Sequence, residues 1–510
     1  MIYCRYRQDV SIIKTIIQKQ KEEMIGDFFQ TAVNYINAAV GRNQEFEDLI
    51  KARDISRVKT LFRSYEQETN EAMREYNPLA HEIMHREDKI VRNKLGQRKS
   101  TIKRWKLPLN YPQYINEISV VFIYGQPVKW LQQSDNTDNA FEKFGDIIKS
   151  TRFNSKIRQC KRLAGAETQS AMLFHVFRNE DGKPDVQIRV LARSKGDEIY
   201  SRWDIYENLV SFAWGYYVKE TSETSVYHFD IYTPSVIYRC KQTSGGWEVT
   251  PEENLVGKIP VILFQQEKEW RGVEPLIERE EYIGSRTADT NDYFSDPMFL
   301  IHEDIIKSMP EKGDENKTLR IRGNNVDDVS KYAKYLTWDS APESKKAEID
   351  WLQKHILSKT FTPNIEFDNM KSLSNISGKA LKQMMLLADI KANRHKEQHD
   401  ELLDRTSNLI LAIIGNVLDI SLREECQRCV IQHEFQEPFG ENITETIDNI
   451  AKARDAAILS AEGAVELNPL VKDHKQELER LAHEEEQASQ NQRDLFGLNQ
   501  TKEDIYGGAE

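Results

Sequence analysis

Gly272 to Ile301 reads GVEPLIEREEYIGSRTADTNDYFSDPMFLI, and how this stretch folds decides the architecture. Pro275 suits the first turn of a helix, where a missing N–H costs nothing. Asp296-Pro297 ends the pattern, because the residue before a proline is steered away from helical geometry. A helix is therefore expected from Val273 to about Ser295, with six acidic and two basic residues. A compact insert, Met298 to Trp338, follows, with strand-like FLIHEDII and LRIRG. The chain then returns through SAPESKKAEIDWLQKHIL. Ser340 and Glu343 form a capping-box pattern with Pro342 in the first turn, so a second helix runs to about Ser358.

Upstream, Ile12 to about Glu75 has the Lys, Glu and Gln content and spaced apolar residues of helices. From Tyr111 to Phe264 the texture changes. ISVVFIYG, AMLFHVF, VQIRVLAR, SVYHFDIY and IPVILF are short β-branched or aromatic runs, separated by turn residues such as NEDGKPD and TSGGW. They predict strands and hairpins in a mixed region with a substantial sheet. Downstream, Thr360 to Ser377 is a polar loop. Gly378 to about Arg423 is one long helical pattern with Gly415 as its only internal glycine, about 70 Å at 1.5 Å per residue. Apolar pairs from Leu409 to Leu418 give its second half a buried stripe. Further helices are expected at Glu445–Glu462 and Asp473–Ala488, and a disordered tail from Asn491.

The 510 residues carry a net charge of −12 with 39% apolar and 30% charged residues. That composition is globular and excludes a protein that grips nucleic acid over its whole surface. The five cysteines, Cys4, Cys160, Cys240, Cys426 and Cys429, are no secreted disulfide framework. No basic-then-apolar leader opens the sequence, and Leu409–Leu418 is too short to span a bilayer. A soluble chain of a reducing cytosol, with no membrane partner, is the expectation.

The most suggestive chemical motif is His81-Glu82-x-x-His85. On an α-helix two imidazoles at this spacing share a face, and the glutamate can act as general base of a zinc peptidase. The charged REDK that follows, and the lack of a third ligand, favour surface histidines near a helix start after Asn77-Pro78. Cys426-x-x-Cys429 with His433 lacks a second pair of ligands, so packing cysteines at a helix end are expected. His395 and His399 share a helical face among charged neighbours and read as solvated. No Walker-type phosphate loop or Gly-x-Ser-x-Gly elbow is present. No catalytic residue, cofactor or metal is assigned.

The order of these parts resembles the portal proteins of tailed bacteriophages, of the siphophage type. The resemblance rests on GKIPV (Gly257–Val261) before the acidic helix and SGKAL (Ser377–Leu381) opening the long helix. It rests also on YINEISVVFIYGQPVKW (Tyr114–Trp130) and AILSAEGAVELNPLVKDHKQELERLAHEEE (Ala457–Glu486). It spans about Asn77 to Glu486, although the insert from Met298 to Trp338 does not match residue by residue. The fold class it implies is α+β: a helix-rich subunit with a β-containing wing, two stem helices, a small α/β clip and a long spine helix, in a ring-forming oligomer. The implied parts are wing 1–265, first stem helix 266–297, clip 298–340, second stem helix 341–359, tunnel loop 360–377, spine 378–424, C-terminal wing and crown helices 425–490, and tail 491–510.

The function implied is a non-enzymatic DNA conduit at the unique capsid vertex, serving packaging, head–tail connection and ejection. Its implied partners are further copies of the chain, twelve in all, the terminase large subunit, major capsid and scaffold proteins, a head-completion adaptor and double-stranded DNA. Lys371, Ser372, Asn375 and Ser377 would approach the duplex. Glu278, Glu281 and Asp292 would line the channel, where carboxylates repel phosphates within a Debye length of about 8 Å. A zinc peptidase using His81, Glu82 and His85, and a scaffold or adaptor without a channel, are the competing readings.

Overall fold

The computed structural model describes residues 45–92, 96, 98–220, 224–295, 298–301, 333–336, 342–365, 385–438, 443–471 and 474–495. The helical expectation for residues 12–44 lies outside them. Two short helices follow, α1 (Ile55–Thr60) and α2 (Glu66–Tyr76); Asp54 caps α1 by accepting from the Arg57 N–H. A two-stranded hairpin, β1 (Lys89–Arg92) and β2 (Arg98–Ile102), comes next. The stretch ISVVFIYG is not a strand, as its β-branched residues suggest, but the second half of helix α3 (Tyr111–Tyr124). Pro112 sits in its first turn, and Ile115, Val120, Phe122, Ile123 and Tyr124 are all buried. An apolar run buried on most sides does not announce its period, and packing outweighs β propensity.

Helices α4 (Asp138–Ser150) and α5 (Phe153–Glu167) follow the short strand β3 (Lys129–Gln132). The predicted hairpins then appear: β4 (Gln169–Arg178) with β5 (Pro184–Leu191) across NEDGKPD, where Gly182 has φ +75°. The sequence continues through β6 (Glu198–Trp203), β7 (Leu209–Lys219), β8 (Ser225–Tyr232), β9 (Val236–Thr243), β10 (Gly246–Glu253) and β11 (Val261–Gln265). They form an antiparallel sheet of order β10-β9-β8-β7-β6 and a second of order β11-β4-β5. Alternation sorts the faces. Tyr200, Phe229, Ile231 and Cys240 pack on Phe46, Ile50, Ile55, Val58 and Phe62 from the N-terminal helices. Phe212, Trp214 and Tyr232 meet Ala171, Leu173, Leu191, Val261 and Leu263 of the other sheet.

The decisive stretch forms helix α6 (Glu274–Ser295), followed by β12 (Met298–Ile301). β12 pairs antiparallel with β13 (Ala333–Leu336), and the chain returns as α7 (Pro342–Lys359). The strand expected at LRIRG, Leu319–Gly323, lies outside the described residues; the partner of β12 is at 333–336.

The long pattern from Gly378 is not one uninterrupted helix. The described helix α8 runs from Leu386 to Ile413, about 42 Å for 28 residues. A π-helical turn at Ile414–Leu418 follows, and Asp419 is extended, with φ −146° and ψ 95°. The chain reverses because α9 (Arg423–Arg428) packs back at Gly415. A Cβ there would stand 3.1 Å from the Arg423 Cα. Cys426 is buried in this contact, and Cys429 just past α9 is buried as well. Strand β14 (Ile431–Glu434) then pairs with β3.

The chain divides into two units, Met1–Lys371 with Met384–Gln436, and Ser372–Gln383 with Glu437–Glu510. In the second, the single helix expected at Glu445–Glu462 is two: α10 (Ile443–Asp455) and α11 (Ala461–Glu466). Ala457 breaks them with φ +53°, and the Ser460 hydroxyl oxygen accepts from the Gly463 N–H to start α11. Helix α12 (His474–Leu495) continues past Asn491, where a tail was expected.

Candidate functional site

The site is the root of α6, where the α6–α7 arm joins the sheet-bearing body. The segment before it, QQEKEWRG (Gln265–Gly272), carries alternating charges and reads as loop. Folding turns it into an anchor. Trp270 is fully buried and donates its indole N–H to Glu75 at 2.8 Å. Lys268 pairs with Glu75 at 2.6 Å and with Glu274 at 2.8 Å.

Between them Glu269, with 1% of its side chain exposed, faces three cationic or titratable groups. Lys161 of α5 is wholly buried against it, Lys391 of α8 lies at 2.7 Å, and His395 of α8 at 3.3 Å. Ser119 of α3 donates to the same carboxylate at 2.9 Å. One carboxylate thus joins α3, α5 and α8 to the start of α6. Burial pushes its pKa up, but Lys161 and Lys391 overcome that and hold it well below the ordinary range. Gly165 makes room for this approach: a Cβ there would stand 2.0 Å from Asn116 Oδ1 and 3.1 Å from Glu269 Cγ.

His395 and His399 are therefore not solvated, contrary to their charged neighbours in sequence. His399 is 3% exposed, and its Nδ1 lies 2.8 Å from the Tyr124 hydroxyl. Burial lowers the pKa of both and keeps them neutral. His433, beside the cysteine pair, is held by Asp400 at 2.6 Å and Asp404 at 3.1 Å.

The His81-Glu82-x-x-His85 motif is not on an α-helix. His81 is the extended residue before a short 3₁₀ turn, Glu82–His85, so the two imidazoles do not share a helical face. His81 is buried rather than on the surface. Its Nε2 donates to the Glu75 carbonyl at 2.7 Å, and its Nδ1 meets Glu281 at 2.6 Å. With both nitrogens engaged, neither is free to ligate a metal. Burial opposes the charge on His81, but the hydrogen bonds and charges of Glu281 and Glu75 together outweigh it and raise the pKa. Among the described residues no group of three or more His, Cys, Asp and Glu is placed to hold a metal ion.

The three carboxylates expected along the channel, Glu278, Glu281 and Asp292, have different surroundings. Glu281 is 2% exposed and also accepts from the Leu109 N–H at 2.7 Å, so it faces the inside of its own subunit. Asp292 is exposed but accepts from the Trp105 indole. Glu278 is exposed and makes no ion pair among the described residues. Glu280 is buried beside Tyr111 and Gln353, and Asp289 pairs with Arg86 at 2.6 Å. Most of the helix's carboxylates are spent holding the 75–111 segment and α7. The outward stripe of α6 is mixed in charge: Glu278, Arg279, Tyr282 and Arg286. Arg279 reaches across to Glu348 of α7 at 2.8 Å. Lys371, Ser372, Asn375 and Ser377 lie outside the described residues. The Glu269 junction carries no signal in sequence, because a glutamate in the charged run EKEWR reads as solvated.

A sheet-bearing body thus carries an arm of two packed helices, each continued by one strand of a pair. The model of one family, phage portal protein of the SPP1 Gp6-like type, matches residues 45–491, and the chain belongs to that family. It is a phage portal protein and a virion component of the head–tail connection, from a structural family. No curated protein matches the chain. Among solved structures, a chain from "Neck of native GTA particle computed with C12 symmetry" is similar, at 8% identity over 71% of this chain and 90% of that one. Its TM-score is 0.37, too loose to carry an argument.

Proposed function

We propose that twelve copies of the chain close into a ring at the unique capsid vertex and conduct double-stranded DNA during packaging and ejection. The observation that supports this most directly is the α6–β12–β13–α7 arm, which leaves the body and returns to it. In this reading residues 266–297 and 341–359 are the stem, 298–340 the clip and 1–265 with 378–424 the wing and spine; 425–490 add the C-terminal helices. The clip takes first the terminase large subunit and then the head-completion adaptor. The wing meets major capsid and scaffold proteins. The stem surface toward DNA is the stripe of Arg279, Tyr282 and Arg286, in which Arg279 is already paired with Glu348 of α7. A wall with few free charges gives a duplex no continuous track to bind, which suits passage.

Electron micrographs of the purified chain test the ring: closed particles with a bore wide enough for a duplex are expected. Monomers or open filaments at every concentration point to a channel-less scaffold instead. For the loop at 360–377, Lys371→Glu is expected to lower the DNA content of heads while rings still assemble. Normally filled heads remove Lys371 from the DNA path. No observation favours a peptidase, since His81 is fully engaged within the subunit.

A further inference from the structure

The chain's most concentrated positive charge is only partly matched by the described residues of its own subunit. Residues 86–106 hold nine basic and two acidic residues, a net +7 within a chain of net −12. They include the β1–β2 hairpin, whose strands pair only with each other. A lone two-stranded ribbon is marginal in water, and this one opposes Arg92 to Arg98 in its register, a destabilising pairing. Ile90, Ile102 and Trp105 are 47%, 48% and 50% exposed on it or just after it. Among the described residues, Lys89, Arg92, Arg98, Lys103 and Arg104 make no ion pair. The hairpin's base is nevertheless fixed: Arg86 and the Trp105 backbone N–H bond to Asp289, and the Trp105 indole bonds to Asp292. A rigidly mounted, cationic ribbon whose apolar side chains stay exposed among the described residues is one half of an interface.

The same chain offers the complementary half. A cleft opens between residues 74–82, Pro112 and the first turns of α6. Ala80, Pro112, Trp270 and Ile277 give it apolar lining. Glu75, Glu274 and Glu281 have cationic partners inside the subunit. Glu82 and Glu278 are exposed and make no ion pair among the described residues, and Arg74 is the one arginine or lysine in a lining with five glutamates. The subunit's own hairpin is anchored eleven residues further along α6, about 16 Å from Glu278. Strands of four and five residues rise about 13–17 Å, so a neighbour's hairpin, mounted at the level of Asp289, has the length to reach the level of Glu278. Rotation about a ring axis keeps both levels.

We propose that the β1–β2 hairpin clasps the next copy of the chain, seating its cations and exposed isoleucines in the acidic cleft at the root of that copy's α6. Two different patches meeting head to tail make a heterologous contact, the type that closes a ring. A protein surface fits this hairpin better than a duplex does, because apolar side chains stand among the cations. The proposal rests on the ring reading above.

Charge reversal on the full-length chain tests it. Lys89→Glu/Arg98→Glu/Lys103→Glu, and separately Glu82→Lys/Glu278→Lys, are each expected to reduce rings at least tenfold by mass photometry, with unchanged circular dichroism. Combining the two sets should restore rings. Carbodiimide cross-linking of mixed ¹⁴N and ¹⁵N chains should join Lys89 or Lys103 to Glu82 or Glu278 between differently labelled copies. If wild-type and both reversed chains form rings equally well, the clasp is wrong and the ring stands. If hairpin reversal spares rings but weakens their retention on duplex DNA, the hairpin faces nucleic acid and the clasp is again wrong. A wild-type chain that never forms rings removes both readings.

Discussion

Replacing Glu269 by Gln isolates the electrostatics of the arm's root. The substitution keeps size and one hydrogen-bond acceptor while removing the only described carboxylate that pairs with Lys161, Lys391 and His395. Lys161 is wholly buried, and its pKa is already lowered by burial despite the carboxylate. Without Glu269 a buried ammonium stands uncompensated beside a second one. Breaking one side of a buried pair costs about 3–5 kcal/mol, a large share of a typical stability of about 5–15 kcal/mol. Urea denaturation read by intrinsic fluorescence should show that loss as a lower midpoint at unchanged slope. Adding Lys161→Met should recover part of it, because the charge left unpaired is then removed; groups in one network are not additive. Glu269 is held below the ordinary carboxylate pKa, so its contribution is present above that range and fades on acidification. That acid dependence should disappear in Glu269→Gln. A loss under about 1 kcal/mol, with no recovery in the double variant, refutes the reasoning.

Other outcomes follow from the same geometry. His81 has a raised pKa, so its stabilisation is complete below about pH 6.5 and is lost as pH climbs through the folded value. His399 has a depressed one, so stability falls as pH drops below about 6.5. Denaturation midpoints across pH 5–9 should therefore peak near neutrality, and Glu281→Gln should flatten the alkaline limb; an unchanged limb rejects the His81–Glu281 pair as its source. Gly165→Ala forces a Cβ into Asn116 and should cost about 1–3 kcal/mol in thermal or urea melts, whereas wild-type stability would mean that α3 and α5 separate freely there. Arg279→Ala breaks an exposed pair with Glu348 and should change stability by no more than about 1 kcal/mol; a larger loss would show that the two arm helices depend on it. Purified protein should hold less zinc than one ion per ten chains by mass spectrometry, and stoichiometric zinc lost in His81→Ala would reopen the peptidase reading.

Local chemistry determined a good part of this molecule before folding was considered. Pro275 and Asp296-Pro297 bound α6, Pro342 opens α7, and NEDGKPD and TSGGW turn two hairpins, because these residues restrict their own φ and ψ whatever surrounds them. The succession of such segments was enough to reveal the family. What tertiary structure alone decided is where apolar runs and charges go. ISVVFIYG became a helix because it is buried on most sides, and Gly415 ended α8 because α9 packs against it. Glu281, His81, His395, His399 and Glu269 look alike in sequence, as polar residues among polar neighbours. Contacts from residues far away in the chain put them in a medium where each charge needs a partner. That environment is a property of the assembled fold, and no spacing along the chain encodes it.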